Sequence, residues 1–238
     1  MIVDCHMHVK GGDLYRREFS ADFIVRCLDE AGIDRAVVFS ICLGSRESNN
    51  LTYREAQKFS DRLIGFAHVN PEEGDLAVEE LERAIRELNF KGVKIHFGEF
   101  AFSKEIFLPV MDEIVKLKIP CLIDCKEQYN VIGELADTYP ETKIIVAHLG
   151  SHNNEKLVDR FIGLAKRKEN LFLDSSWSDV PWKIGDAITI AGAEKVLFGS
   201  DGPLIHPLIE LTKVKVLKLK EKEEELILSR NILNLLLR

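Results

Sequence analysis

No stretch of this 238-residue sequence approaches the ~20 uninterrupted apolar residues that a membrane-spanning helix requires, so no membrane partner is expected. The opening MIVDCHMHVKGG lacks both the basic start and the apolar run of a secretory leader, and a soluble, unprocessed protein follows as the expectation. Cysteine is scarce. Cys5, Cys27, Cys42, Cys121 and Cys125 are an odd set without the spacing of a disulfide framework, and three of them fall in apolar runs, which points to buried thiols in the cytosol. A basic excess is missing too: 32 Lys and Arg face 39 Asp and Glu, a net charge of -7, so no broad phosphate-binding surface is advertised and nucleic acid is not expected as a partner. Without linkers, low-complexity segments or repeats there is nowhere to divide the chain, and residues 1–238 are expected to form one domain.

What is present fits one core. The 46% hydrophobic content and the length suit a lone α/β barrel. Charged residues reach 30%, and the Lys/Glu-rich stretch 215–225, read as helix, has the composition of a heat-adapted protein. Short apolar runs recur at 2–4, 36–41, 64–69, 92–95, 121–123, 144–147, 171–173 and 196–198, eight candidate strands in all. Between them apolar residues return every three or four positions, as in Leu76, Val78, Leu81, Ile85 and Leu88, or Ile106, Val110, Ile114 and Leu117. Asp75, Ser103 and the Ser178-Asp179 pair ahead of Pro181 supply helix starts. Alternating strands and helices require parallel pairing with right-handed crossovers, and eight such units close a (β/α)8 TIM barrel.

In such a barrel the active site forms at the C-terminal ends of the strands, so the polar residue after each apolar run is the one to inspect. After the first run, strand periodicity turns His6 and His8 to the same side about 7 Å apart along the backbone, where two imidazoles could grip one cation or simply bond to backbone in the core. The fourth run ends GVKIH, with Lys94 and His96 on one face; Lys94 could bind a substrate anion, become carbamylated into a metal bridge, or reach solvent. Asp124 closes the fifth run, where a carboxylate after buried apolar residues needs a cation or donors; capping is its plainer role. His148 follows the sixth run, and after the eighth Asp201 sits in a Gly-flanked turn, the best general-base candidate. His68, His152 and His206 are assigned to ordinary loop or strand-end roles. Trp177 could stack on an unsaturated substrate and Arg46 could pair with a carboxylate. The apolar residues from Leu233 to Leu237 could pack on the barrel or on a second subunit, as in a homodimer.

Taken in order, DCHMH, GVKIH, PCLIDC, VAHLG and FGSDGP resemble the amidohydrolase-related superfamily, especially the branch containing aminocarboxymuconate-semialdehyde decarboxylase. The resemblance implies one divalent metal held by His6, His8 and Asp201, with His148 as a base or polarising group; zinc is the first ion expected and manganese the second. It departs from the family pattern at the fifth run, where Asp124 stands in place of a histidine and is expected either to join the ligands, favouring a harder ion, or to leave His148 or His96 to complete the set, with loss of catalysis as the extreme outcome. The expected activity is hydrolysis of a small amide, ester or lactone-like substrate by a metal-activated water, with Asp201 as proton shuttle and Lys94 or His96 on the substrate. The rivals are non-oxidative decarboxylation of an unsaturated or aromatic acid, phosphoester cleavage, and a catalytically silent ligand-binding barrel.

Overall fold

The structure is a computed structural model that describes residues 1–237. Its strands are β1 (Val3–Lys10), β2 (Arg35–Ser40), β3 (Leu63–Gly65), β4 (Ala67–His68), β5 (Val93–His96), β6 (Cys121–Asp124), β7 (Ile144–Val146), β8 (Leu171–Asp174) and β9 (Val196–Leu197). The longer helices between them are α1 (Ala21–Ala31), α2 (Ser45–Ala56), α3 (Asp75–Arg86), α4 (Lys104–Leu117), α5 (Tyr129–Thr138), α6 (Glu155–Arg167) and α7 (Pro181–Ala191), followed by α8 (Pro207–Lys215), α9 (Glu221–Glu225) and α10 (Asn231–Leu236). Neighbouring strands pair in parallel, in the orders β1-β2-β3 and β4 through β9.

β3 and β4 are two halves of one strand position, so the single strand expected at 64–69 is interrupted. The Phe66 N–H donates back to Val38 O at 3.0 Å while the Ala67 N–H donates forward to Gly92 O at 2.9 Å, so Phe66 passes the ladder from one neighbour to the other. At the other seam Cys5 N donates to Phe198 O (2.9 Å), Asp201 N to His6 O (2.8 Å) and His8 N to Gly202 O (2.6 Å). Eight strand positions thereby close into a (β/α)8 barrel.

Helix boundaries follow local chemistry. Ser20 caps α1 by accepting from Phe23 N, and Gly32 ends it in the left-handed region at φ 67°. α3 buries Ala77, Leu81, Ala84 and Ile85, whereas Leu76, expected in its apolar stripe, is exposed. The stretch 215–225 is not one helix: α8 ends at Lys215, Lys218 turns left-handed, and Leu217 and Leu219 pack inward on the core before α9 begins.

Apolar side chains sort into two clusters. An outer one joins alternate strand residues such as Val38, Ile95, Ile123 and Val146 to the helices. An inner one holds Val37, Phe39, Phe66, Leu122, Ile145 and Leu197 with Ile232 of α10, and Leu233, Leu235 and Leu236 pack against it, so the C-terminal leucines cover the barrel's own floor. β1 contributes to both. Val3 and Cys5 belong to the inner cluster, Met7 and Val9 to the outer one. The switch comes from a bulge, because Asp4 pairs with Ala36 and Met7 with Val38, which sets two residues, Cys5 and His6, opposite one, Val37.

Candidate metal centre at the barrel mouth

The bulge turns His6 and His8 inward, where both rings lie against Phe39, with centroids 5.2 and 4.7 Å away. Asp4 fixes it: its Oδ1 accepts from His6 N (2.9 Å) and from Ser200 N (3.0 Å), tying β1 to the loop that carries Asp201. Asp201 itself is left-handed at φ 59°, as are His148 (φ 58°) and Trp177 (φ 47°), a concentration of costly backbone typical of functional sites.

The ring nitrogens can be assigned from their partners. His6 Nδ1 faces Asp174 Oδ2 at 2.6 Å and His8 Nδ1 faces Lys10 O at 3.3 Å; both partners are acceptors, so both rings donate from Nδ1 and keep their lone pairs on Nε2. Both Nε2 atoms then point at the same oxygen, Asp201 Oδ1, at 3.2 Å from His6 and 2.8 Å from His8. An imidazole nitrogen on either side of a buried carboxylate oxygen is satisfied by a proton or by a cation, and the ligand atoms of His6, Asp201 and His148 all lie within 4.8 Å of one another. Two imidazoles and a carboxylate suit a divalent zinc- or manganese-type ion, so the residues fit the expected metal.

Lys94 is buried beside this group, with Nζ 3.2 Å from His6 Nε2 and 5.1 Å from the centre of the Phe39 ring. Among the described residues it has no carboxylate within ion-pair distance, and burial pushes its ammonium down despite the negative Asp124, Asp201 and Asp174 nearby. The solvent-reaching role for Lys94 is therefore not what the structure adopts. His148 lies 5.0 Å from His6 between ring centres. Its Nδ1 faces Ser176 O (3.2 Å) and Ser176 Oγ (2.9 Å), and burial pushes its pKa down to about 3, leaving it neutral.

Asp124 makes no direct contact with His6 or His8: its carboxylate, on β6 opposite β1, is held by Lys126 (2.8 Å) and His96 (3.3 Å) and groups with His148 and His152, while His148 also groups with His6 and Asp201. Burial raises its pKa, but His96, His148, Lys94 and Lys126 outweigh that and hold it well below the usual range. His96 lines the cavity, yet its ring is clamped between Asp124 and Glu99 (3.2 Å).

Together these groups line a cavity of about 360 Å³, walled also by His152 and Trp177, whose rings meet edge to face at 4.9 Å. Arg46 does not line it and pairs with Glu80 instead, and His206 is on the surface with Glu30. Sequence reasoning passed over Asp174, although it follows an apolar run just as Asp124 does; Ser176, which donates to Asp174 Oδ2 (2.7 Å), and His152 were equally undervalued.

Comparison with known proteins adds a family to this geometry. The model of the amidohydrolase family matches residues 3–237. A gamma-resorcylate decarboxylase from Polaromonas sp. is 24% identical over 213 residues, 67% of this chain and 65% of the relative, so the chain spans less than two thirds of the length of that relative. Among solved structures, 2,6-dihydroxybenzoate decarboxylase from Rhizobium superposes with a TM-score of 0.78 at 18% identity, covering 99% of this chain and 98% of the other. A dihydroxybenzoic acid decarboxylase from Polaromonas sp., with bound manganese and the inhibitor 2-nitroresorcinol, superposes with a TM-score of 0.76 at 20% identity, covering 99% and 96%.

Proposed function

The chain belongs to the amidohydrolase family, and on that premise we propose that it is a metal-dependent, non-oxidative decarboxylase of a small aromatic or unsaturated acid, working as one barrel domain over residues 1–238. The observation that carries the reading is Lys94: a buried amine in a cavity wall, beside the donor atoms of His6, His8 and Asp201 and without a carboxylate partner of its own among the described residues. A substrate carboxylate would complete it. The decarboxylase names of the relatives point the same way.

His6, His8 and Asp201 would hold one divalent ion, which when bound supplies charge that polarises a substrate oxygen. Manganese, present in the Polaromonas structure, is the first ion to load and zinc the second. The chain's own groups do the rest. Lys94 binds the substrate carboxylate, while Trp177 and His152 flank an unsaturated ring. His148, neutral and donating from Nδ1 to Ser176 O, offers the lone pair of Nε2 to a substrate hydroxyl and so enriches the ring in electrons. Asp201, ionised at rest, relays a proton from water to the carbon bearing the carboxylate; the carbon–carbon bond then breaks, its electron pair returns to the ring, and CO2 leaves. In balance, R–COO⁻ plus H⁺ gives R–H plus CO2.

Hydrolysis by a metal-activated water, the leading expectation from sequence, becomes the second reading, kept because neutral His148 beside the same donor set would serve a water as well as a hydroxyl. The manganese-loaded chain should be offered hydroxylated benzoates and, separately, amides, esters and lactones. Release of CO2 from a benzoate that stops on chelation supports the proposal; cleavage of an amide, ester or lactone without any CO2 release refutes it.

A further inference from the structure

A second constellation lies beside the mouth and takes no part in the reaction above. Glu99, in the loop after β5, reaches between two imidazoles: its Oε1 is 3.2 Å from His96 Nδ1 and its Oε2 is 3.4 Å from His68 Nε2. Each ring has its other nitrogen turned to an acceptor, His68 Nδ1 to Lys94 O (3.2 Å) and His96 Nε2 to Asp124 Oδ2 (3.3 Å). With those nitrogens donating, the nitrogens that face Glu99 are the ones able to present lone pairs to a cation. His68 Nε2, His96 Nδ1 and Glu99 Oε1 are buried and form no hydrogen bond. Glu99 is oriented by accepting from Cys42 N at 2.8 Å, and the thiol of Cys42 completes the group: its sulfur, a His96 nitrogen and a Glu99 oxygen all lie within 4.8 Å of one another.

We infer that Cys42, His96 and Glu99, with His68 on the second carboxylate oxygen, form a separate site for a zinc-type divalent cation. The donors are those such an ion takes, one thiolate, imidazole nitrogen and carboxylate oxygen. The His96–Glu99 separation of 3.2 Å matches the edge of a tetrahedron with legs of ~2.0 Å, about 3.3 Å, and His68 lies 3.4 Å from the other carboxylate oxygen. Cys42 is only partly buried, which leaves a route from solvent, and its left-handed backbone at φ 62° sets it beside the carboxylate. The site shares no donor with His6, His8 and Asp201. It differs from that centre in containing sulfur, which selects a softer ion.

The test is titration of the full chain, stripped of metal, with zinc and with cobalt, comparing wild type, Cys42→Ser and His8→Ala, with circular dichroism to confirm folding. Wild type should bind about two zinc ions, Cys42→Ser about one, and cobalt should give a thiolate-to-metal charge-transfer band that His8→Ala keeps and Cys42→Ser loses. The cobalt band of the wild type needs no variant, so a misfolded mutant does not blunt the test. A wild type without the band, or a stoichiometry unchanged in Cys42→Ser, overturns the inference. One zinc ion lost in Cys42→Ser and kept in His8→Ala upholds this site while refuting the centre at His6 and His8.

Discussion

The Nζ of Lys94 lies 3.2 Å from the Nε2 of His6, so a buried amine occupies the approach to a nitrogen that would ligate the metal. A cation bound there would be repelled by the charged form of Lys94, which burial already disfavours. Lys94→Met should therefore leave metal affinity equal or tighter while lowering kcat/KM for decarboxylation by about 10- to 100-fold, the loss of one charged hydrogen bond of about 1.5–3 kcal/mol. Calorimetric metal titration beside a CO2-release assay separates the two effects. Weaker metal binding in this variant would instead make Lys94 a ligand.

Asp174 holds His6 by a 2.6 Å contact at Nδ1 and so fixes which nitrogen faces the metal. Asp174→Asn should weaken divalent-metal affinity by about 10- to 100-fold with little change in thermal stability, read by competition against a chromogenic chelator. Unchanged affinity would remove Asp174 from the metal-supporting role.

Gly199 admits no side chain, since a Cβ there would come within 2.2 Å of Asp174 Oδ1 and 3.0 Å of His6 Cβ. Gly199→Ala should cost about 1–3 kcal/mol in urea unfolding and also lower metal affinity, because relief of the clash displaces the His6–Asp174 pair. Loss of stability with full metal affinity would contradict that coupling.

Glu210 of α8 is buried with Oε2 unpartnered, although Lys213 reaches Oε1 at 2.7 Å. Burial, aided by negative Asp174 and Asp201, pushes its pKa up from 4.5 to about 7. A carboxyl that holds its proton more tightly when folded contributes stability that is full below about pH 4.5 and lost as the pH rises through about 7. Glu210→Gln lacks this loss, so its stability relative to wild type should improve between pH 5 and pH 8, by on the order of 3 kcal/mol at most. Parallel denaturation curves at the two pH values check it; a constant difference would mean that Glu210 titrates normally.

Much of the barrel was legible because burial on a sheet writes apolar runs into the chain, and each of the eight runs became a strand position. The break at Phe66 was not, since an apolar run looks the same whether its N–H groups donate to one neighbour or two. His6 and His8 could be singled out because they follow the first apolar run, although β1 itself continues to Lys10, and Asp201 because it follows the eighth. Asp174 carried the same signal and was passed over. Glu99 carried none: its meeting with His68 spans 31 positions and depends on where the loop after β5 folds back, which pattern alone does not encode. Asp124 was read by its place in a motif, whereas its real neighbours are decided by the angular position of β6 opposite β1.

β1 is in effect two half-strands in opposite phase, joined at a surplus residue between Asp4 and Met7. Were the intact strand to run on in plain alternation from Val3 and Cys5, without the bulge, both imidazoles would face out of the lumen, towards the ring of helices. Upstream of the joint the strand is answerable to the floor of the barrel, downstream to whatever enters the mouth, and a single supernumerary position lets one short segment serve two masters.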